Sequence, residues 1–172
     1  MKTTTQIPVL RERYPLIFVE DSDISVGDGW FNLLDAACGC IQSHIDWCHK
    51  NYESAIEYNA MRDALRAGDD TLFLKFYETM PLDWVQRQRD HVLTNAAREV
   101  IVPCQQVVAT QVKEKFGTLR FYAQGGNECT HGMIQMAEAM SAVTCEMCGA
   151  PGTTGGKGWI RTLCARHHME KA

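Results

Sequence analysis

No stretch of about 18 consecutive apolar residues occurs in this chain, which excludes a conventional membrane-spanning helix. The opening residues, Met1-Lys2-Thr3-Thr4-Thr5-Gln6, place no apolar run behind the lysine and do not read as an export signal. Internal repeats and low-complexity linkers are missing, and 5 prolines among 172 residues are too few for an extended or fibrous chain. A strong excess of one charge is missing too: 17 Lys and Arg stand against 21 Asp and Glu, a formal net charge of −4. Such a balance favours solubility and advertises no general affinity for nucleic acid. The remaining composition, 45% hydrophobic and 22% charged, supports an ordinary apolar core.

The charge is uneven along the chain. Residues 1–50 hold 4 basic and 7 acidic side chains, residues 51–110 hold 6 and 9, and residues 111–172 hold 7 and 5. Any nucleic-acid face therefore belongs in the C-terminal third. The 8 cysteines are uneven as well. Cys38, Cys40, Cys48, Cys104 and Cys129 are scattered and read as small buried hydrophobes. Cys145, Cys148 and Cys164 gather beside His167 and His168. Without an export signal the thiols are expected to stay reduced, which argues for metal ligands over disulfides and for a cytoplasmic location.

Periodicity predicts the elements. Ile7 to Arg13 suits a short helix with Pro8 near its start, and Pro15 ends it. Leu16 to Val19 reads as a short buried strand. Gly27-Asp28-Gly29 is a turn signal, with Asp28 placed to cap the helix that follows. Apolar residues then recur at helical spacing over 30–50: Leu33, Leu34, Ala37, Cys38, Ile41, Ile45 and Cys48. Residues 51–103 form a second helical block in three pieces. One is closed by Gly68, one is capped by Asp70 and carries Leu72 to Met80, and one runs from Val85 to Val100 and stops before Pro103. From about residue 106 the period changes to two. A strand reaching Phe116, a turn at Gly117-Thr118 and a return strand to Gln124 make a hairpin. Residues 128–143 predict an amphipathic helix with Met133, Met136, Ala137 and Met140 on one side.

The sharpest signal is Cys145-x-x-Cys148 followed, after 15 residues, by Cys164-x-x-His167. Two short ligand pairs at this separation let two tight turns meet around one tetrahedral ion. A filled Cys3His set predicts one structural zinc and not a catalytic one; His168 is the alternative fourth ligand. The glycine-rich stretch Gly155-Gly156-Lys157-Gly158 is not a phosphate loop, since Pro151 stands where the first glycine is required and no Ser or Thr follows the lysine. Cys40, His44 and Cys48 fall at four-residue steps and could share one helical face to hold a second metal; the expected reading is a core helix with a hydrogen-bonded histidine. Lys113, Lys115, Arg120, Lys157, Arg161 and Arg166, interleaved with Tyr122 and Trp159, are the candidate phosphate contacts; Glu114 and Glu146 dilute them, and a solvated hairpin face is the plainer reading.

We therefore expect an α+β fold. A helix-rich body over 1–143 carries the helical block at 51–103 and a hairpin at about 106–124, and a zinc-ribbon-like lobe covers 144–172.

Several segments together resemble a family of small bacteriophage and prophage proteins. They are Tyr14-Pro15-Leu16-Ile17-Phe18, Gly27-Asp28-Gly29-Trp30-Phe31, the string from Gln111 to Tyr122, Cys145-x-x-Cys148-Gly149, and Gly158-Trp159-Ile160-Arg161-Thr162-Leu163-Cys164-x-x-His167. The resemblance covers roughly residues 14–48 and 107–168, and it implies that the helical block at 51–103 is an insertion. It implies a phage accessory protein in the cytoplasm of a bacterial host, and it carries no established catalytic activity with it. The leading expectation is a non-enzymatic protein that binds a host or phage protein, for instance to block a defence or host enzyme. Trp84, Phe73, Phe76, Tyr52 and Tyr77 are candidate anchors. The alternative is nucleic-acid binding through the hairpin and zinc lobe. A metal-dependent hydrolase using Asp28, Glu114 or His44 ranks third.

Overall fold

Gln6, just ahead of Pro8, opens the first helix of a computed structural model that describes residues 6–169. Most of the segment read above as lacking an export signal lies outside the described residues. Helix α1 (Ile7–Arg13) carries Pro8 in its first turn, where a missing N–H costs nothing. Short strand β1 (Asp23–Ser25) follows, then a 3-10 turn (Asp28–Trp30) that leads into helix α2 (Phe31–Arg66). After α3 (Thr71–Phe76) and α4 (Leu82–Thr94) come the hairpin strands β2 (Val108–Lys115) and β3 (Thr118–Gln124), then α5 (Glu128–Ser141). The last described elements are β4 (Thr153–Gly155), β5 (Arg161–Leu163) and α6 (Ala165–Met169). The class is α+β, as expected.

Two compact units make up the chain: residues 1–46 with 104–172, and residues 47–103. In the first unit β1 pairs parallel with β2, Ile24 opposite Val112, and β2 pairs antiparallel with β3. The sheet order β1-β2-β3 leaves β3 at an edge, and α5 covers it. Ser141 Oγ accepts the N–H of Leu119 at 2.8 Å and Glu138 Oε1 accepts that of Phe121 at 2.9 Å. Helix side chains thus satisfy donors that would otherwise template another strand. This explains a correction. The buried stripe of α5 is Thr130, Ile134, Ala137 and Ser141, while Met136 and Met140 are exposed. Polar groups facing the sheet edge satisfy more backbone than methionines would.

Four further expectations change. Leu16 to Val19 is a turn and not a strand: the N–H groups of Ile17 and Phe18 both bond back to Tyr14 O, at 3.0 and 2.9 Å. Ile17 and Phe18 are buried all the same, and Phe18 lies 6.1 Å from Phe121, ring centre to ring centre. Second, no break separates residues 50 and 51. Helix α2 continues to Arg66 because nothing between Trp47 and Ala67 is Gly or Pro, and Gly68, at φ +91°, lies just past its end. Third, the hairpin turn is Phe116-Gly117, both at positive φ, and a bulge at Thr110 shifts the strand phase, so Ala109 and Val112 are both buried. Fourth, the scattered cysteines are not uniformly buried: Cys38 and Cys104 are, Cys40 and Cys129 are exposed, and Cys48 is half-buried. Cys40 sits two residues from Cys38, on the other side of α2.

The second unit has its own core of Tyr58, Met61, Leu65, Phe73, Val85 and Val92, flanked by Tyr77, Trp84 and Leu93. The α4 helix ends at Thr94, well before the expected limit at Val100. Asn95 leaves the helix extended so that its carbonyl can accept Arg62 Nε at 3.0 Å and Arg66 Nη2 at 3.2 Å. Asn59 then grips Arg98 reciprocally: its side-chain oxygen accepts the Arg98 N–H and its amide donates to Arg98 O, each at 2.8 Å. The cap expected from Asp70 comes from Asp69, whose carboxylate accepts the Thr71 N–H at 2.9 Å.

Candidate metal centre

The Cys145-Glu146-Met147-Cys148 turn is shaped by backbone bonds that fold it around a central point. Cys145 N–H donates to Ala150 O at 2.8 Å, and Gly149 N–H donates to Cys145 O at 2.8 Å. Gly149 adopts φ +76°, a region costly for a residue with a Cβ. On the other side, Cys164 directly precedes α6 and His167 lies three residues on, so the two project from one face of the first helical turn. The sulfurs of Cys145, Cys148 and Cys164 and a ring nitrogen of His167 all lie within 4.8 Å of one another and can hold a metal ion. Cys148 Sγ is 3.8 Å from Cys164 Sγ, and His167 Nδ1 is 3.4 Å from Cys145 Sγ and 3.3 Å from Cys164 Sγ. His167 is therefore the histidine in the cluster; His168 is exposed and gives its backbone N–H to Cys164 O.

Electrostatics prepare two of the sulfurs. Burial acts to raise the Cys145 thiol, but the N–H groups of Cys164, Met147 and Cys148, with the His167 ring, outweigh it and hold the pKa below the ordinary value. Cys164 is also held low, first by the His167 N–H at the start of α6. At Cys148 the Ala150 N–H acts to lower the pKa, while burial and the neighbouring sulfurs carry it upward. A bound cation would deprotonate all three.

Three parts of the body seat this cluster, and the sequence pattern did not reveal them. The first is the Gly27-Asp28-Gly29-Trp30 segment. Gly29 donates its N–H to Glu146 O at 3.0 Å, and a Cβ on Gly29 would overlap Cys145 O and lie 2.6 Å from the amide nitrogens of Cys148 and Gly149. A Cβ on Gly27 would overlap Glu146 O. Trp30 is fully buried and its indole N–H donates to Thr144 O at 2.9 Å. The two glycines were read as a turn with a cap; they are the floor on which the first ligand pair rests. The second part is the hairpin tip, where Thr162 Oγ1 donates to Gly117 O at 2.6 Å and Gly117 faces the Arg161 backbone, leaving no room for a Cβ. The third is the end of α5, where Thr154 Oγ1 donates to Ala142 O at 3.0 Å. Two glycines spaced i, i+2 before a tryptophan were the available clue, since a helix cap needs neither.

The other candidates fall in different places. Cys40, His44 and Cys48 are spread along α2 and do not form a ligand cluster; among the described residues only the Cys145 group does. His44 Nε2 lies 3.2 Å from the Asn127 amide. Glu114 Oε1 accepts the Gly117 N–H at 2.5 Å, and Asp28 sits in the 3-10 turn. Arg161 forms a largely buried ion pair with Glu146 and also approaches Met147 Sδ. Lys113, Lys115, Arg120 and Tyr122 share the outward face of the β2–β3 hairpin, with Lys113 directly opposite Arg120, and Arg166 is exposed on α6. No protein-family model, no curated protein and no solved structure matches the chain. Among the described residues no helix is long and apolar enough to cross a membrane.

Proposed function

We propose that this chain is a non-catalytic binding protein whose C-terminal lobe is closed by one structural zinc ion, acting as a phage accessory protein in the reducing cytoplasm of a bacterial host. The observation that carries the zinc assignment is the edge lengths of the donor set. Bonds of about 2.3 Å to sulfur and about 2.0–2.1 Å to nitrogen in a tetrahedron put sulfurs about 3.8 Å apart and sulfur about 3.6 Å from nitrogen. In the cluster the Cys148–Cys164 edge is 3.8 Å, the edges from His167 to Cys145 and Cys164 are 3.4 and 3.3 Å, and all six edges lie within 4.8 Å. Soft thiolates with one imidazole suit zinc and disfavour magnesium or calcium. Four protein donors complete the coordination, so the ion orders the chain and takes no substrate. Free thiols in the metal-binding state need a reducing compartment, which supports the cytoplasmic reading.

Partner class divides between a host or phage protein and a nucleic acid. Of the aromatic anchors considered for a protein partner, Phe73 is buried in the core of residues 47–103 and Tyr77 and Trp84 pack against it, leaving Phe76 and half-buried Tyr52. The hairpin face favours nucleic acid, because Lys113, Lys115 and Arg120 pair with no carboxylate among the described residues. Elemental analysis of protein purified under reducing conditions tests the reading. One zinc per chain, with the amides of residues 144–168 losing hydrogen-exchange protection on chelation, is the expected result. Metal-free protein, or a lobe whose protection survives a strong chelator, overturns it.

A further inference from the structure

We infer that the outward face of the three-stranded sheet and the two loop tips beside it bind single-stranded nucleic acid, phosphates on the cations and bases on the exposed rings. The inference deepens the binding-protein reading and rests on it, since the closed lobe is what holds the second loop against the first. The strand register places Gln111 opposite Tyr122, Lys113 opposite Arg120 and Lys115 opposite Thr118, so all six side chains leave the same side of the sheet. Like charges directly opposite one another weaken a strand pair unless something anionic lies between them. Among the described residues no carboxylate pairs with these cations. Glu114, between the two lysines in sequence, points to the other side and accepts the Gly117 N–H. Glu146 is taken by Arg161. Asp23, at the far edge of the face, accepts from Gln111 at 2.8 Å. A chain of net charge −4 thus presents a strip of cations with no carboxylate partner among the described residues. Arg120 is moreover held in place: its Nη1 donates to Thr118 Oγ1 at 2.8 Å and Leu119 O at 2.6 Å, leaving its remaining N–H groups for an external acceptor.

The aromatic groups give the partner its second property. Tyr122 is 44% exposed, with Lys113 Nζ 5.7 Å from its ring centre. Phe116 is 67% exposed, with Lys115 Nζ 5.7 Å from its ring centre, and it stands at the hairpin tip at φ +53°. A bulky residue there is strained, where Asn or Gly would be at rest, and its ring gains no burial in return. Trp159, 70% exposed, belongs to the loop that ends at Arg161, whose backbone abuts Gly117, the residue after Phe116. Cations alternating with exposed flat rings fit a strand whose bases are unstacked; every base has a face to offer a ring, and the backbone follows the charges. A duplex keeps its bases stacked and would leave the rings unused, and an acidic peptide would meet the charges alone.

The test is fluorescence anisotropy with labelled oligo(dT) of about 15 nucleotides, a length within the usual single-strand site sizes, after zinc has been quantified in the same sample. Wild-type protein is expected to bind at about 50 mM salt and to weaken steeply by about 200 mM. Lys113→Ala/Lys115→Ala/Arg120→Ala should reduce the slope of log affinity against log salt by about 2. Phe116→Gly should weaken binding about tenfold or more without changing that slope. Glycine accepts the positive φ, so that variant keeps the turn and its loss reports the ring. Lys75→Ala, in the other unit, should bind as wild type does. Folded, zinc-loaded protein that does not bind at low salt overturns the inference and leaves the zinc reading standing. Equal or tighter binding of the matching duplex, displacement by polyglutamate as efficient as by unlabelled oligo(dT), or an unaffected Phe116→Gly each overturns it too. A sample without zinc overturns the metal reading instead, and its titration still decides whether the sheet face binds.

Discussion

Residues 144–168 and residues 47–103 reach order by opposite means. The C-terminal lobe has two strands of three residues and a helix of five, and its buried side chains are Cys145, Glu146, Thr162 and Leu163. That is too little apolar surface to offset the entropy of fixing a glycine-rich loop. It brings together four side chains that could hold a metal ion, and hydrogen bonds tie it to the Gly29 and Gly117 loops. The helical unit has no such cluster and needs none. Phe73 is 1% exposed among Tyr58, Met61, Leu65, Val85 and Val92, and three arginines of the unit are tied down, Arg62 and Arg66 to Asn95 O and Arg98 over the Tyr58 ring at 4.0 Å. The contrast teaches that a cysteine carries a structural role where apolar side chains are scarce, and that the same residue in an apolar helix, as at Cys38, is merely another small core group. Burial pushes the Cys38 thiol up to about 12, which keeps it protonated and inert.

The comparison breaks first, and hardest, at the metal. Cys145→Ser or chelation should abolish order over residues 144–168, an effect on the order of 10 kcal/mol by analogy with small zinc units. Amide protection in residues 55–92 should stay as it was, and hydrogen exchange with mass detection reads both regions at once. Next comes the reciprocal change. Phe73→Ala should cost the helical unit about 3–5 kcal/mol through the cavity it leaves. Urea titration would show the early transition while zinc content stays at one per chain. A smaller effect should come from Gly29→Ala, which inserts a methyl group against Cys145 O and the Cys148 and Gly149 amides. Forced overpacking costs about 1–3 kcal/mol, and here it should appear as weaker zinc retention in a chelator competition.

The smallest effect is a difference in the pH at which each region fails. Acid protonates thiolates and imidazole, so the lobe should release its ion as pH falls. Tyr77, packed among Phe73, Phe76 and Trp84, has its pKa raised above the ordinary 10.0, by burial first and then by Tyr58. A group that holds its proton more tightly when folded contributes fully below its unfolded pKa, and that contribution is lost as pH rises through the folded value. The helical unit should therefore weaken above about pH 10, the ordinary tyrosine value, and Tyr77→Phe should remove that limb from thermal melts followed by circular dichroism.

Much of this was legible along the chain. The ligand quartet could be read because each half is a local motif: Cys-x-x-Cys closes one turn, and Cys-x-x-His spans one helical turn. The hairpin could be read from its period, α1 from its two prolines, and α3 and α5 from the helical spacing of their apolar residues. What escaped reading depended on partners far away in sequence. The apolar run Leu16 to Val19 looked like a strand because its burial comes from distant residues such as Phe121, against which Phe18 packs, while its own backbone closes a local turn on Tyr14. The methionine side of α5 looked like the buried one because nothing near Ser141 says that its hydroxyl faces Leu119. The α4 helix looked longer because Arg62 and Arg66, about thirty residues earlier, draw Asn95 out of it.

By itself the sequence determined the α+β class and the four donors with their two local turns, because backbone propensity and ligand spacing act over a few residues. Only the tertiary structure decided that Gly27 and Gly29 floor the metal knuckle, that Gly117 docks on the Arg161 backbone, and that Glu114 and Glu146 are drawn away from Lys113, Lys115 and Arg120. Those outcomes depend on close backbone approach and charge pairing between segments that are distant in the chain. Such contacts are set by how surfaces meet once the core has formed, and no local pattern of residues encodes them.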